Sequence, residues 1–197
     1  MYGIYENGSV IAEFAAPLTV RSNVPISVSD TLSLKRQVSK STAQRWEIET
    51  AVVPLLEDAN DFLVSLVTKG HSETVMVQMP QNMGVVRKRT SNSIPAATGT
   101  AGSSFVNITS NVGLIPKGTF VKFDNHSKIY MLTQDLTDEG LMYIFPVLRS
   151  DVTLDTVYHR DDVLMSAFYD TDVITGMVYE DGLLMTPGSI KMVERIV

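Results

Sequence analysis

Between Ala43 and Val52 the chain alternates. Gln44, Trp46, Ile48, Thr50 and Val52 fall on one side of an extended backbone, and Ala43, Arg45, Glu47 and Glu49 on the other. The pattern predicts a half-buried strand with Trp46 and Ile48 inward and charge outward. The period then changes. Leu55, Leu56, Ala59, Phe62, Leu63, Leu66 and Val67 recur at helical spacing, so a helix is expected over about 54–69. Pro54 suits the first turn, where no amide hydrogen is needed. Glu57 and Asp58 lie near the expected N-terminus, Lys69 lies in the last turn, and Gly70 follows as a stop. The apolar stripe is free to cover one sheet face, with Trp46 expected beneath the helix against Phe62 or Leu63. A further strand is expected at Glu73–Met79, with Val75, Val77 and Met79 on one face.

Elsewhere the pattern is shorter. Pro17–Lys40 reads as a long arm or an edge strand with loops, because brief β-favouring runs are broken by Ser, Asn and Pro. Such an arm could lie on its own domain or on a neighbouring subunit. Gln81–Gly102, rich in Ser, Thr, Asn, Gly and Ala, reads as a loop-rich entry to an insertion. Four short strands follow, at Ser104–Thr109, Thr119–Asp124, Lys128–Thr133 and Leu141–Pro146, separated by turn-like residues. Their spacing suggests a small antiparallel barrel or sandwich. After Ser150 longer β segments return, including "DVLMSAFYD", a hairpin around Glu180-Asp181-Gly182 and the terminal "SIKMVERIV". The expected organisation is mainly β with one principal α-helix. Residues 1–83 and 151–197 form an outer β domain, and residues 84–150 form an inserted small all-β barrel.

Composition narrows the chemistry. The chain of 197 residues has no cysteine, which removes disulfides, thiolate metal sites and cysteine nucleophiles together. Its formal charge of −6 argues against a general polyanion-binding surface, and Arg87-Lys88-Arg89 is a short run without interleaved aromatics. No segment approaches the length of a membrane span. The N-terminus lacks a basic segment and carries Glu6 and Glu13, so no secretion signal or membrane partner is expected.

His71, His126 and His159 stand far apart, and HExxH, GxSxG, P-loop and GxGxxG patterns are absent from the sequence. The acidic clusters "HRDD" at His159–Asp162 and "YDTD" at Tyr169–Asp172 lack the alternation and glycine turn of a calcium loop. No catalytic, cofactor-binding or metal-binding residue is therefore nominated. Phe120, Phe123, Tyr130, Tyr143 and Phe145 occupy strand positions in the insert, where core packing competes with a sugar-stacking role.

One combination resembles a known family. Ser39 and Ser41, then Ala43-Gln44-Arg45-Trp46-Glu47, then the helix, is similar to the distal tail (hub) proteins of long-tailed bacteriophages. "IPKGTFVKFDNHSKIYMLT" (Ile115–Thr133) and "IFPVL" (Ile144–Leu148) look like the insert region of that family. The resemblance covers roughly residues 30–150. It implies a tail-tube-like β-sandwich or barrel flanked by a helix, with an inserted OB-like barrel. It also implies a structural role in the virion: a ring, hexameric in the family, assembled in the host cytoplasm and joining the tail tube to the baseplate and receptor-binding apparatus. DNA would pass only transiently through its channel. Gln44, Arg45, Trp46 and Glu47 carry the resemblance, with Phe62 and Leu63 as expected packing partners. The alternative is a carbohydrate-binding module acting through the inserted barrel.

Overall fold

The computed structural model describes residues 2–30, 36–54, 59–70, 72–81, 93–110, 113–170, 178–180, 183–186 and 189–196. The chain opens with β1 (Gly3–Glu6) and β2 (Ser9–Phe14), joined at Asn7-Gly8. Both turn residues have positive φ, the geometry that suits a tight hairpin and that Asn and Gly adopt at low cost. β3 (Thr19–Asn23), the hairpin pair β4 (Ile26–Asp30) and β5 (Arg36–Lys40), and the ten-residue β6 (Arg45–Pro54) follow. After α1 (Ala59–Lys69) and β7 (Val75–Gln78) come β8 (Ser93–Gly99), β9 (Phe105–Ile108), β10 (Phe120–Phe123), β11 (Ile129–Leu132), β12 (Gly140–Phe145) and β13 (Val152–His159). A 3-10 turn, Arg160–Asp162, leads to β14 (Leu164–Tyr169), β15 (Val178–Glu180), β16 (Leu183–Thr186) and β17 (Ser189–Glu194).

The protein is mainly β, with one α-helix among the described residues and a closed six-strand antiparallel barrel. The barrel runs β10-β11-β12-β9-β8-β13 and closes through the pairing of β13 with β10. The remaining large sheet runs β17-β14-β7-β1-β2-β6-β3. An additional pairing of β17 with β6 links six of these strands in a closed cycle, leaving β3 along one half of β6.

All four strands expected in the insert are present. Two further barrel strands were not anticipated. β8 falls in the segment read as a loop: "SIPAATG" has few strand-favouring residues, and its place is set by ladders to β13 and β9. β13 lies beyond the expected limit at residue 150, so the barrel strands run from Ser93 to His159. Register shifts around Asp155, with Leu154 at positive φ, break the alternation that would have revealed β13.

The helix does not begin at Pro54, and Val67 drops out of its expected apolar stripe. Pro54 belongs to β6, opposite Ala12, and therefore does not open the helix. Residues 55–58 lie outside the described set. Phe62 and Leu66, one helical turn apart, are buried, Leu63 is half-buried, and Val64 and Val67 face outward. Lys69 in the last turn reaches back to Glu6 of β1 at 2.8 Å, which anchors the helix end to the sheet. Gly70 follows at positive φ, as a helix stop requires. His71, Arg87-Lys88-Arg89 and Thr171-Asp172 of the acidic cluster lie outside the described residues.

Two apolar cores result. One fills the barrel, around Val121, Phe123, Tyr130, Leu132, Met142 and Ile144. The other lies within the large sheet and under the helix, and it takes in Phe120 and Ile129 from the barrel's outer face. Strand alternation explains the sharing. Along β10 and β11, Val121, Phe123, Tyr130 and Leu132 point into the barrel, while Phe120 and Ile129 point toward the sheet.

Candidate functional site: the sheet–barrel junction and the projecting hairpin

The residues carrying the family resemblance meet where β6 passes beneath the barrel. Trp46 is held by both of its N–H donors. Its backbone N–H donates to Glu194 Oε2 at 2.9 Å, and its indole Nε1–H donates to the carbonyl of Ile129 at 2.9 Å. Its ring meets Phe120 edge-on at 5.1 Å and Phe145 at 6.4 Å. This corrects the expectation that Trp46 sits beneath the helix against Phe62 or Leu63. Phe62 is fully buried in the same core, but the rings that grip Trp46 come from the barrel.

Gln44, on the same face as Trp46, accepts from Lys128 Nζ at 2.7 Å and donates to Ser22 Oγ at 3.1 Å. Lys128 also donates to Glu194 Oε2, and the other oxygen of that carboxylate accepts from the backbone N–H of Ile129 at 2.7 Å. One carboxylate at the end of β17 therefore joins β6, β11 and the lysine that precedes β11. Burial lowers the Lys128 pKa, and the Glu194 charge partly restores it.

Gln81 secures another point of the junction. Its side chain donates to the Phe120 carbonyl at 2.8 Å and accepts from the Phe120 N–H at 3.0 Å, imitating a strand partner for β10. Nothing in the local pattern distinguishes Gln81, because its role depends on a residue 39 positions later.

On the opposite face of β6, Arg45 is exposed as expected, but Glu47 is only 7% exposed. β3 and β17 flank this part of β6, and they bring Asn23 to 2.6 Å and Lys191 to 3.2 Å from its carboxylate. Burial opposes ionisation of Glu47, but these partners outweigh it and hold the carboxyl below its ordinary range. The expected outward charge is thus an internal ion pair of the sheet.

The insert aromatics divide. Phe123 and Tyr130 lie inside the barrel and Phe120 at the junction, whereas Tyr143 is half-buried outside, beside exposed Phe105 at 6.2 Å. His126 stacks on Phe123 at 5.6 Å, and its Nε2 lies 2.8 Å from the Tyr130 hydroxyl. That hydroxyl accepts from the Arg149 N–H, and burial raises its pKa to about 12. Burial also lowers the His126 pKa, so the neutral ring with Nε2 as acceptor fits this network.

The other distinctive feature is the β4–β5 hairpin. Its described side chains are exposed, including Ile26 at 57%, Val28 at 45% and Val38 at 59%. Val28 pairs directly with Val38, and Ile26 is two residues from Val28, so all three share one face of the ribbon. Ser27, Ser29, Gln37 and Ser39 alternate onto the other face. The hairpin follows β3, which ends the strand order of the large sheet. The Asp30–Arg36 pair continues the valine face, so the molecule presents a ribbon with three exposed apolar side chains beside a sheet edge.

Comparison with known protein families finds no family model that matches the chain, and no curated protein matches it.

Proposed function

We propose that the protein is a structural, non-catalytic subunit of a bacteriophage virion. It forms a ring at the distal end of the tail and joins the tail tube to the baseplate and adhesion apparatus. In this reading the large sheet and helix correspond to a tail-tube-like domain, and the closed barrel is its OB-like insert. The observation that carries the reading is the β4–β5 hairpin, with Ile26, Val28 and Val38 uncovered on one face beside the edge strand β3. A lone two-stranded hairpin is marginal in water, and natural sheets usually protect their edges. A ring subunit has a use for both features, because the ribbon and edge of one copy meet a different surface of the next, which closes a cycle of heterologous contacts.

The rigid junction supports the same reading. Trp46, Glu194, Lys128 and Gln81 fix the barrel against the sheet, so a neighbour docked on one part would be held in register with the other. The number six, the tail tube as partner and the passage of DNA through the channel rest on the family resemblance.

Size-exclusion chromatography with light scattering, followed by negative-stain imaging, tests the reading. Hollow rings, alone or with tail-tube protein, are the expected result. A chain that stays monomeric at every concentration and also with tail-tube protein would overturn it.

A further inference from the structure

A large cleft lies on another side of the junction and uses none of the hairpin residues. It has a volume of about 1060 Å³, ample for a segment of an oligomeric ligand, and it opens between the large sheet and the barrel, a common position for binding sites.

Strand register builds its two walls. On the sheet, Tyr5 pairs with Met76 and Gln78 pairs with Leu164, which puts these four side chains on one face. On the barrel, Lys122 pairs with Tyr158, and Asp124 continues that face two residues along. The 3-10 turn between β13 and β14 adds Asp161 and Asp162 at the end of the cleft.

Internal bonds hold the walls in place. Tyr5 donates its hydroxyl to Gln78 Oε1 at 2.9 Å, and Gln78 Nε2 donates to the Asp161 carbonyl at 2.9 Å. Lys122 Nζ spans the walls by donating to the Leu164 carbonyl at 3.2 Å. An ammonium group has three hydrogens, so this bond leaves donor capacity at the cleft surface.

The lining defines the ligand chemistry. Half-buried Tyr5 and Tyr158 line it, with an amide, an ammonium and carboxylates around them. A sugar presents the complement: an apolar C–H face for an aromatic ring and a rim of hydroxyls that both donate and accept. Asp124, Asp161 and Asp162 outnumber Lys122 and Arg160, which lies 3.8 Å from Asp161, so the cleft stays net negative, which disfavours phosphate, uronic acids and nucleic acid. Among the described residues no group of three acidic or histidine side chains is placed to hold a metal ion, so the carboxylates do not form a cation cage.

We propose that this cleft binds a short segment of a non-anionic oligosaccharide, stacked on Tyr158 and Tyr5 and hydrogen-bonded by Lys122 and Asp162, with buried Gln78 holding the Tyr5 hydroxyl in place. The site sits at the junction of barrel and sheet rather than on the barrel alone, and it stands independently of ring assembly.

Saturation-transfer NMR on the full chain tests the site with maltohexaose and an N-acetylglucosamine hexamer. A uronic-acid hexasaccharide serves as the anionic control. Transfer to at least one of the neutral oligomers is expected. Tyr158→Ala and Asp162→Asn should each weaken its binding by about tenfold or more. Asp162 is exposed, so its variant should keep the wild-type melting temperature even if loss of Tyr158 perturbs folding. Tyr143→Ala, on a different face, should bind as wild type. Absence of transfer to both neutral oligomers at millimolar concentration would overturn the proposal. So would binding that survives both cleft substitutions, or equal binding of the uronic-acid oligomer. Negative-stain images of the same samples report assembly separately, so loss of sugar binding leaves the ring reading untouched.

Discussion

Lys128 Nζ lies 2.5 Å from Glu194 Oε2, with both side chains almost wholly buried. The pair belongs to different bodies: Lys128 leads into barrel strand β11, and Glu194 ends sheet strand β17. The carboxylate also accepts from the backbone N–H groups of Trp46 and Ile129, so its charge is shared among three donors across the junction.

Removing one partner leaves the other charged and desolvated. Lys128→Met is therefore expected to cost about 3–5 kcal/mol in urea unfolding. The double variant Lys128→Met, Glu194→Gln should recover part of that loss, because a neutral amide oxygen can still accept one of the two backbone bonds. A double-mutant cycle with additive losses would show that the two residues act separately.

Trp46 is the single tryptophan, and it is buried between two barrel rings. Its fluorescence should be blue-shifted and poorly quenched by acrylamide in the native protein. Trp46→Ala should cost about 3–5 kcal/mol as a large aromatic truncation. Trp46→Phe keeps much of the packing but leaves the Ile129 carbonyl without the indole donor, so a loss of about 1–3 kcal/mol is expected. Equal losses for the two variants would assign the whole contribution to the indole hydrogen bond.

His126 supplies a pH dependence. Burial is the main cause of its lowered pKa. Lys122, Arg149 and Lys128 act in the same direction, and Asp155 opposes them. Between the folded pKa and the ordinary 6.5, the unfolded chain binds a proton that the native state does not. Stability from this group is therefore level above about 6.5 and falls as pH drops below it. Melting temperatures compared at pH 7.5 and pH 5.5 should show a larger decline for wild type than for His126→Gln. An identical decline would place the titrating group elsewhere.

The hairpin links structure to assembly. Val28→Glu with Val38→Lys puts two opposite charges on the face that carries Ile26, where both side chains are already exposed and directly paired. Folding stability should change by no more than about 0.5 kcal/mol per site. Ring formation, read by light scattering and imaging, should be lost. Rings that persist in this variant would mean that the ribbon's apolar face is not an assembly contact.

Much of the β6 region was legible from its pattern. The alternation from Gln44 to Val52 described a strand, and that face is the buried one. Phe62, Leu66, Lys69 and Gly70 marked the core face and end of the helix. The Asn7-Gly8 turn between alternating segments is also a readable hairpin signal. β8 and β13 were harder. An alanine-rich segment with a proline and a strand broken by register shifts both lack a clean period, and their pairing comes from strands elsewhere in the barrel. The cleft walls were not readable, because Tyr5, Gln78, Lys122 and Tyr158 come from four separate strands.

By itself the amino-acid sequence determined where β6 and the helix run and which face of each is apolar, because backbone geometry sends side chains to faces with a fixed local period. Only the tertiary structure decided what those faces meet. The indole of Trp46 bonds a carbonyl 83 positions away and its amide a carboxylate 148 positions away, and Glu47 is buried because β3 and β17 close over it. Such contacts depend on which strands become neighbours, and that is settled by the packing of the whole chain.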